Sequence, residues 1–140
     1  INEVYQALLL PARNKGVILL NDAPPKVFGY CDKDMMSLVL RNLLSNAIKF
    51  SPEGCMIEVD TQLTHDGIIL MVRDHGLGIS KLDQEHLFER FFRGTNVTNI
   101  QGTGLGLHIV GKYIEIMDGK IEFESELEKG TTFIITLKRN

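Results

Sequence analysis

The sequence lacks several features that mark special classes of protein. No apolar run approaches the roughly 20 residues of a membrane span, and no secretory signal opens the chain. The formal net charge is −3 and the lysines and arginines are scattered, which excludes a basic footprint for nucleic acid. Only two cysteines are present, Cys31 and Cys55, and they have no metal-ligand spacing. We therefore expect reduced thiols in a cytoplasmic protein that makes no direct contact with a membrane.

The remaining composition is that of an ordinary globular protein. Apolar residues make up 44% of the chain and charged residues 24%. A length of 140 residues predicts one domain, residues 1–140, with a substantial core. Because the chain begins at Ile1 without a methionine, we expect it to be part of a longer protein.

Hydrophobic periodicity predicts an α/β chain. We expect helices over residues 3–14, 33–50 and 106–117, a short helix over 81–89, and strands over 17–20, 27–30, 56–63, 68–73, 120–124 and 130–137. These segments predict a two-layer sandwich with about three main helices on one layer and a mixed, mostly antiparallel sheet on the other. The last helix has a polar stripe of only His108, Lys112 and Glu115, so we expect it to be largely buried. Residues 94–101 are polar and unpatterned, which predicts a mobile loop.

An unusual row of side chains lies on the helix over residues 33–50. Asn42, Asn46 and Lys49 fall on one face, although asparagine is a poor helix former. Amide oxygens suit Mg²⁺, and a nearby ammonium group neutralises phosphate oxygens. The alternative is a polar helix face that happens to contain asparagine.

A second element follows directly from a predicted strand. In Asp74-His75-Gly76-Leu77-Gly78, the aspartate is able to point into the gap between sheet and helices. A buried carboxylate needs a hydrogen-bond partner, and the exocyclic amine of adenine is one. The glycines allow the backbone to approach a flat ring. The alternative is a tight turn without a ligand.

A third element is glycine-rich and precedes a helix. The spacing Gly102-x-Gly104-x-Gly106 exposes backbone N–H groups near a helix N-terminus, which favours phosphate. A flexible hinge is the alternative, and the two interpretations are compatible. A dinucleotide-binding fingerprint would need a strand just before these glycines, and a P-loop would need Gly-Lys-Ser/Thr.

Taken in order, these motifs resemble the ATP-binding domain of bacterial sensor histidine kinases. The wider superfamily includes gyrase, the mismatch-repair MutL ATPases and the large heat-shock chaperone. The matching stretches cover nearly the whole chain: RNLLSNAIKFS, DHGLGI, LFERFFRG, QGTGLGLHIV and KGTTF. The resemblance implies a Bergerat-type fold with a mobile lid over ATP.

The resemblance also implies a role for each matching residue. Asn46 should bind Mg²⁺, whereas Asn42 and Lys49 should contact phosphates or the metal. Asp74 should bind the adenine amine, with Thr131 assisting through a water molecule. The other implied nucleotide contacts are Phe50, Gly76, Gly78, Ile79, Arg93, Gly102, Thr103, Gly104, Leu105, Gly106 and Leu107, with Arg90 as a weaker candidate. Thr131 also alternates in phase with the apolar residues Phe133, Ile135 and Leu137. Three phenylalanines are expected to anchor the lid in the core: Phe88, Phe91 and Phe92.

The chain departs from the family pattern at Phe50, at Asp118, where the family often has glycine, and in its histidines. Phe50 stands where the family often has tyrosine, so that a ring remains but the hydroxyl is lost. No histidine has the sequence context of a phosphoacceptor, and this holds for His65, His75, His86 and His108. The resemblance therefore implies the catalytic half of a kinase whose histidine lies on an upstream helical hairpin.

The expected function is transfer of the γ-phosphoryl group of Mg·ATP to that histidine. The hairpin would be dimeric in the full-length kinase, and the receiver domain of a response regulator would be the next acceptor. This domain would be the cytoplasmic part of a kinase. An ATPase of the gyrase, MutL or chaperone kind is an alternative, but its catalytic glutamate is usually four residues before the metal-binding asparagine. Asn42 occupies that position here. A degenerate nucleotide-binding module is the other alternative.

Overall fold

The structure, a computed structural model, describes residues 2–21, 32–88 and 106–138. Its elements are α1 (Asn2–Lys15), β1 (Ile18–Asn21), α2 (Lys33–Phe50), β2 (Met56–Leu63), β3 (Gly67–Asp74), α3 (Lys81–Gln84), α4 (Gly106–Ile116), β4 (Lys120–Glu126) and β5 (Gly130–Lys138). These bounds confirm the predicted elements within a few residues, except that the short helix expected over 81–89 already ends at Gln84 and residues 85–88 form turns. The predicted strand over 27–30 and the predicted loop over 94–101 lie outside the described residues.

The five strands form one mixed sheet. Their order across the sheet is β1-β2-β3-β5-β4. The pair β1–β2 is parallel, whereas β2–β3, β3–β5 and β4–β5 are antiparallel. The prediction of a mostly antiparallel sheet is therefore confirmed.

The helices α1, α2 and α4 share one core with the inner face of the sheet. Alternate residues of the strands point toward this core, including Ile57 and Val59 on β2 and Ile135 on β5, all completely buried. The predicted two-layer α/β sandwich is therefore correct. Within the described part of the chain, no helix is both long enough and apolar enough to cross a membrane.

Helix α2 is the central element of the helical layer. It begins after Asp32, whose carboxylate accepts a hydrogen bond from the backbone N–H of Met35 at 3.0 Å. Its apolar face buries Leu43 and Leu44 almost completely. Truncating either leucine to alanine in such a core typically costs ~2–5 kcal/mol. The helix ends at Ser51, where Pro52 prevents its continuation.

Helix α4 is less buried than its composition predicts. Val110 and Ile114 are buried, but Ile116 is 63% exposed. The reason is that α4 packs on α2 and β4 with one face, so that apolar residues on its other faces remain at the surface. The expectation of a largely buried helix is therefore correct for only one face, whereas Lys112 and Glu115 are exposed as predicted.

Candidate functional site

The inner face of the sheet ends in a row of polar side chains across three strands. Asp74 on β3 lies directly opposite Thr131 on β5, and Thr131 lies directly opposite Ser125 on β4. The next row toward the centre of the sheet is apolar and consists of Val72, Phe133 and Phe123. The polar row thus marks the point where the core stops and a site for a polar ligand begins.

The carboxylate of Asp74 is held by two backbone N–H groups. Gly76 donates at 2.9 Å and Thr131 at 3.3 Å, and both bonds end on the same oxygen, Oδ1. The second carboxylate oxygen is therefore the one available to a ligand. Burial raises the pKa of this carboxyl, while the two backbone hydrogen bonds and the nearby His75 partly lower it again. A carboxylate with this balance gains from a neutral donor such as an amino group.

The residue that follows Asp74 turns away from the core. The ring Nε2 of His75 lies 3.9 Å from a carboxylate oxygen of Glu58, and both side chains are partly exposed. The carbonyl of His75 accepts a weak hydrogen bond from the thiol of Cys55 at 3.5 Å. Cys55 is a free cysteine, as predicted, whereas Cys31 lies outside the described residues.

The glycines of the loop after β3 have a structural role that the sequence does not predict. A Cβ on Gly76 would lie 2.5 Å from the carbonyl oxygen of Phe50. A Cβ on Gly78, whose φ is +72°, would lie 2.0 Å from the carbonyl oxygen of Glu126. At both glycines, the place that a Cβ would take is occupied by the protein's own backbone. The absence of a side chain therefore lets this loop pack between the end of α2 and the end of β4.

Two backbone hydrogen bonds fasten this loop at both sides. Leu77 donates its N–H to the carbonyl of Phe50 at 3.2 Å. The carbonyl of Leu77 accepts from the N–H of Glu128, in the turn between β4 and β5, at 2.8 Å. The loop that follows Asp74 is thus connected to the helix that carries Asn46, four residues before Phe50.

Ser125 and Gln84 also fasten the loop, and the sequence patterns do not single them out. The N–H of Ile79 donates to the Ser125 hydroxyl at 2.8 Å. The Gln84 amide donates to the carbonyls of Ile79 at 2.9 Å and Ser125 at 3.3 Å. One signal for Ser125 was present in the sequence, because it alternates in phase with Ile121 and Phe123 and is thus a polar residue at an inward position of the strand.

The predicted row of polar side chains on α2 begins at a partly buried residue and ends at an exposed one. The amide nitrogen of Asn42 is buried and has no hydrogen-bond partner among the described residues. Asn46, one turn later, is half-buried, and Lys49 is exposed. A buried amide donor without a partner is costly unless a ligand or another part of the chain satisfies it. This arrangement fits phosphate oxygens near Asn42 and Lys49.

The described residues also fit a magnesium ion that is bound mainly by the phosphates of a nucleotide and only in small part by the protein. Among residues 2–21, 32–88 and 106–138, no group of three histidines, cysteines or carboxylates lies close enough together to bind a metal. Mg²⁺ usually takes one or two protein oxygens and completes its shell with phosphates and water. The amide oxygen of Asn46 is suited to that role.

The other predicted contacts divide into described and undescribed residues. Phe50, at the end of α2, and Ile79, in the loop after β3, are both half-buried, and their role as walls of a slot stays a prediction. Gly106 begins α4, and Leu107 packs against the core. The remaining predicted residues lie outside the described part of the chain: Arg90, Phe91, Phe92, Arg93, Gly102, Thr103, Gly104 and Leu105.

Phe88 confirms the expectation of an aromatic anchor. Its ring centroid lies 6.0 Å from that of Phe123, which in turn lies 6.2 Å from that of Phe133. The carbonyl of Phe88 also lies 3.2 Å from the ring Nδ1 of His108 on α4. The segment that leaves α3 is therefore packed against the core beside the start of α4.

The chain is similar to known proteins over nearly its whole length. The family described as "Histidine kinase-, DNA gyrase B-, and HSP90-like ATPase" matches residues 31–140. The sensor-like histidine kinase SenX3 of Mycobacterium tuberculosis is 34% identical over 139 residues, which cover 98% of this chain and 34% of SenX3. The chain thus spans about a third of that relative's length.

Two solved structures extend the comparison. The catalytic domain of the histidine kinase ThkA superposes with a TM-score of 0.85 at 26% identity, covering 99% of this chain and 90% of that one. Full-length ShkA in complex with AMPPNP gives a TM-score of 0.85 at 25% identity, covering 97% of this chain and 28% of that one.

Proposed function

The chain belongs to the family of histidine kinase-, DNA gyrase B- and HSP90-like ATPases, and from this membership we propose that it binds Mg·ATP and transfers the γ-phosphoryl group to a histidine on another domain. The observation that carries the proposal is the carboxylate of Asp74. It is half-buried at the end of an apolar sheet face, and both of its backbone hydrogen bonds use only one oxygen. In the proposed complex the other oxygen accepts a hydrogen bond from the adenine amine.

The nucleotide would extend from Asp74 along the end of α2. Phe50 and Ile79 would flank the adenine ring, and the polyphosphate would lie near Asn42, Asn46 and Lys49. The N-terminus of α4 at Gly106 would add the positive end of a helix dipole to this region. Placing phosphates here would also satisfy the buried amide nitrogen of Asn42.

Catalysis in such a site consists of positioning and charge neutralisation. The Mg²⁺ ion, when bound, would neutralise charge on the phosphate oxygens. Asn46 would offer its amide oxygen to the ion, and Lys49 would contribute a positive charge from the surface. The described residues offer no carboxylate where a water-activating base is expected, because Asn42 occupies that position. The base and the acceptor would therefore come from the partner domain.

The partners follow from this division of roles. We propose that residues 1–140 form one catalytic domain in the cytoplasm, working with a dimeric helical hairpin upstream in the same protein. A receiver domain carrying an aspartate would accept the phosphoryl group next. The sensor kinases among the similar proteins support a kinase partner domain of this kind.

An ATPase of the gyrase, MutL or chaperone kind is the second candidate, because the family includes such enzymes. It would release phosphate without any partner domain. The amide of Asn42 cannot take a proton from water as a glutamate does. This side chain favours transfer over hydrolysis.

The test combines this chain with its own upstream hairpin on a separate polypeptide and Mg·ATP. We expect acid-labile phosphate on the hairpin and little phosphate release by this chain alone. Asn46→Ala should abolish transfer and should make ADP affinity insensitive to Mg²⁺, whereas Lys49→Ala should weaken ADP binding and keep its Mg²⁺ dependence. Rapid phosphate release without the hairpin would favour the ATPase, and undiminished Mg²⁺ dependence in Asn46→Ala would place the metal ligand elsewhere.

A further inference from the structure

The hydroxyl of Ser125 makes three polar contacts at the end of the sheet. It accepts the N–H of Ile79 at 2.8 Å, lies 3.1 Å from the carbonyl oxygen of Gly130, and lies 2.7 Å from the hydroxyl of Thr131. Thr131 is only 6% exposed, and Ser125 is half-buried, so water has limited access to both.

Counting protons decides the direction of these hydrogen bonds. Ser125 has a single hydroxyl proton, and a carbonyl oxygen can only accept. All three contacts are satisfied together only if Ser125 donates to Gly130 and Thr131 donates to Ser125. The proton of Thr131 is then directed away from Asp74, which lies opposite Thr131 on the other neighbouring strand.

We propose that Ser125 is a positioning residue that makes Thr131 a hydrogen-bond acceptor and thereby selects 6-aminopurine nucleotides over 6-oxopurine nucleotides. The inference rests on the proposed nucleotide site. With its proton committed to Ser125, Thr131 offers only lone pairs to a group of the ligand that contacts it directly. Asp74 offers lone pairs as well, so the end of the slot presents two neighbouring acceptors.

Two neighbouring acceptors favour a purine that carries an amino group at position 6. A 6-oxo group places a third acceptor there, and its oxygen then has no donor; an unpaired buried polar group of this kind is a strong basis for rejecting a nucleotide. If Ser125 is removed, the Thr131 hydroxyl rotates and becomes able to donate to the oxo group. Selectivity should then fall while the fold and the Asp74 carboxylate are retained.

The experiment measures dissociation constants for ATP and inosine triphosphate with Mg²⁺ present. Ser125→Ala should lower the preference for ATP about three- to tenfold, the range expected for one hydrogen bond. Thr131→Val removes the hydroxyl, so adding Ser125→Ala to it should cause no further change in the ratio. A purely structural role for Ser125 would weaken both nucleotides equally. Ser125→Cys, with a weaker donor of similar volume, should shift the ratio in the same direction and provides a second variant if alanine prevents folding.

The matched control is Thr61→Val on β2. Thr61 has a buried hydroxyl without a hydrogen-bond partner in the described part of the chain, and its loss should leave the ATP preference unchanged. An unchanged preference in folded Ser125→Ala and Ser125→Cys would overturn the inference. Failure of the proposed function would look different, because wild-type protein would then not bind ATP, or Asp74→Asn would bind it equally well.

Discussion

At the scale of single residues, two opposing influences act on the pKa of Asp74. Burial disfavours its charge, whereas two backbone N–H groups on Oδ1 and the neighbouring His75 favour it. Burial is the larger of the two, and the pKa is raised. The charged carboxylate thus lowers the stability of the ligand-free protein, and a hydrogen bond from a bound amino group would offset this loss. Functional sites commonly hold such perturbed groups.

This balance predicts how Asp74 affects stability. Because its folded pKa is raised above the ordinary value of 3.8, its contribution to stability is fully present below about that pH and is lost as the pH rises through the folded pKa. Asp74→Asn removes this titration and retains an oxygen that accepts from Gly76 and Thr131. Without nucleotide, the Asp74→Asn variant should therefore be more stable than wild type at neutral pH, and the difference should shrink toward pH 4.

Urea unfolding of both proteins over this pH range measures the effect. The same variant should lose most of its ATP affinity, since a hydrogen bond to a charged group contributes ~1.5–3 kcal/mol. Glu58→Gln is the control, because it also removes one carboxylate near His75 but lies outside the polar row. Equal destabilisation of the Asp74→Asn variant at all pH values would contradict the role of burial.

At the scale of elements, the loop after β3 is positioned by its close approach to two other elements. Gly76 meets the end of α2, and Gly78 meets the end of β4. The hydrogen bonds of Leu77 and Ile79 run to the same two elements and to the turn that follows β4. Nucleotide affinity should therefore depend on backbone packing well away from the ligand.

Gly78→Ala tests this packing. The substitution combines a positive φ with a contact of 2.0 Å to the backbone of Glu126, so the loop must move. Gly54→Ala is a matched control, because Gly54 has a φ of +86° but no atom within 4 Å of its Cβ position. We expect Gly54→Ala to cost ~1–2 kcal/mol from backbone strain alone, and Gly78→Ala to cost more.

Thermal unfolding and ATP titration of the two variants separate the contributions. Gly78→Ala should weaken ATP binding in addition to lowering stability, whereas Gly54→Ala should affect stability only. Equal losses of stability with full ATP affinity in both would show that the loop tolerates displacement.

At the scale of the whole molecule, the proposed function assigns the chain a nucleotide site, while none of its four histidines has the sequence context of a phosphoacceptor. His65, His75 and His86 are exposed, and His108 lies against the carbonyl of Phe88. In the proposed function, transfer would then depend on how often this domain meets the hairpin. A covalent tether sets that frequency through an effective concentration.

Cutting the tether should make transfer slow and dependent on protein concentration. A fusion of hairpin and catalytic domain should transfer at a rate independent of dilution, whereas the separated chains should slow in proportion to dilution. Phosphorylation rates measured over a dilution series compare the two, with Asn46→Ala in the fusion as the inactive control. A rate that is independent of dilution for the separated chains would indicate a stable complex rather than a tether effect.

Local sequence determined most of the elements and the main candidates of the site. The Asp32 cap, the Ser51-Pro52 stop and the strand alternation act over a few residues, so their spacing alone predicts the elements. Asp74 and Asn46 were identified because their motifs are contiguous. Only the tertiary structure brought Asp74, Thr131 and Ser125 into one row, showed that the glycines face backbone, and exposed Ile116 on α4. These features depend on the register between distant strands, which pairs residues such as Asp74 and Thr131, 57 positions apart in the chain, and on which face of a helix packs against another element. Register and helix packing are set by the burial of distant residues against one another, which no local pattern encodes.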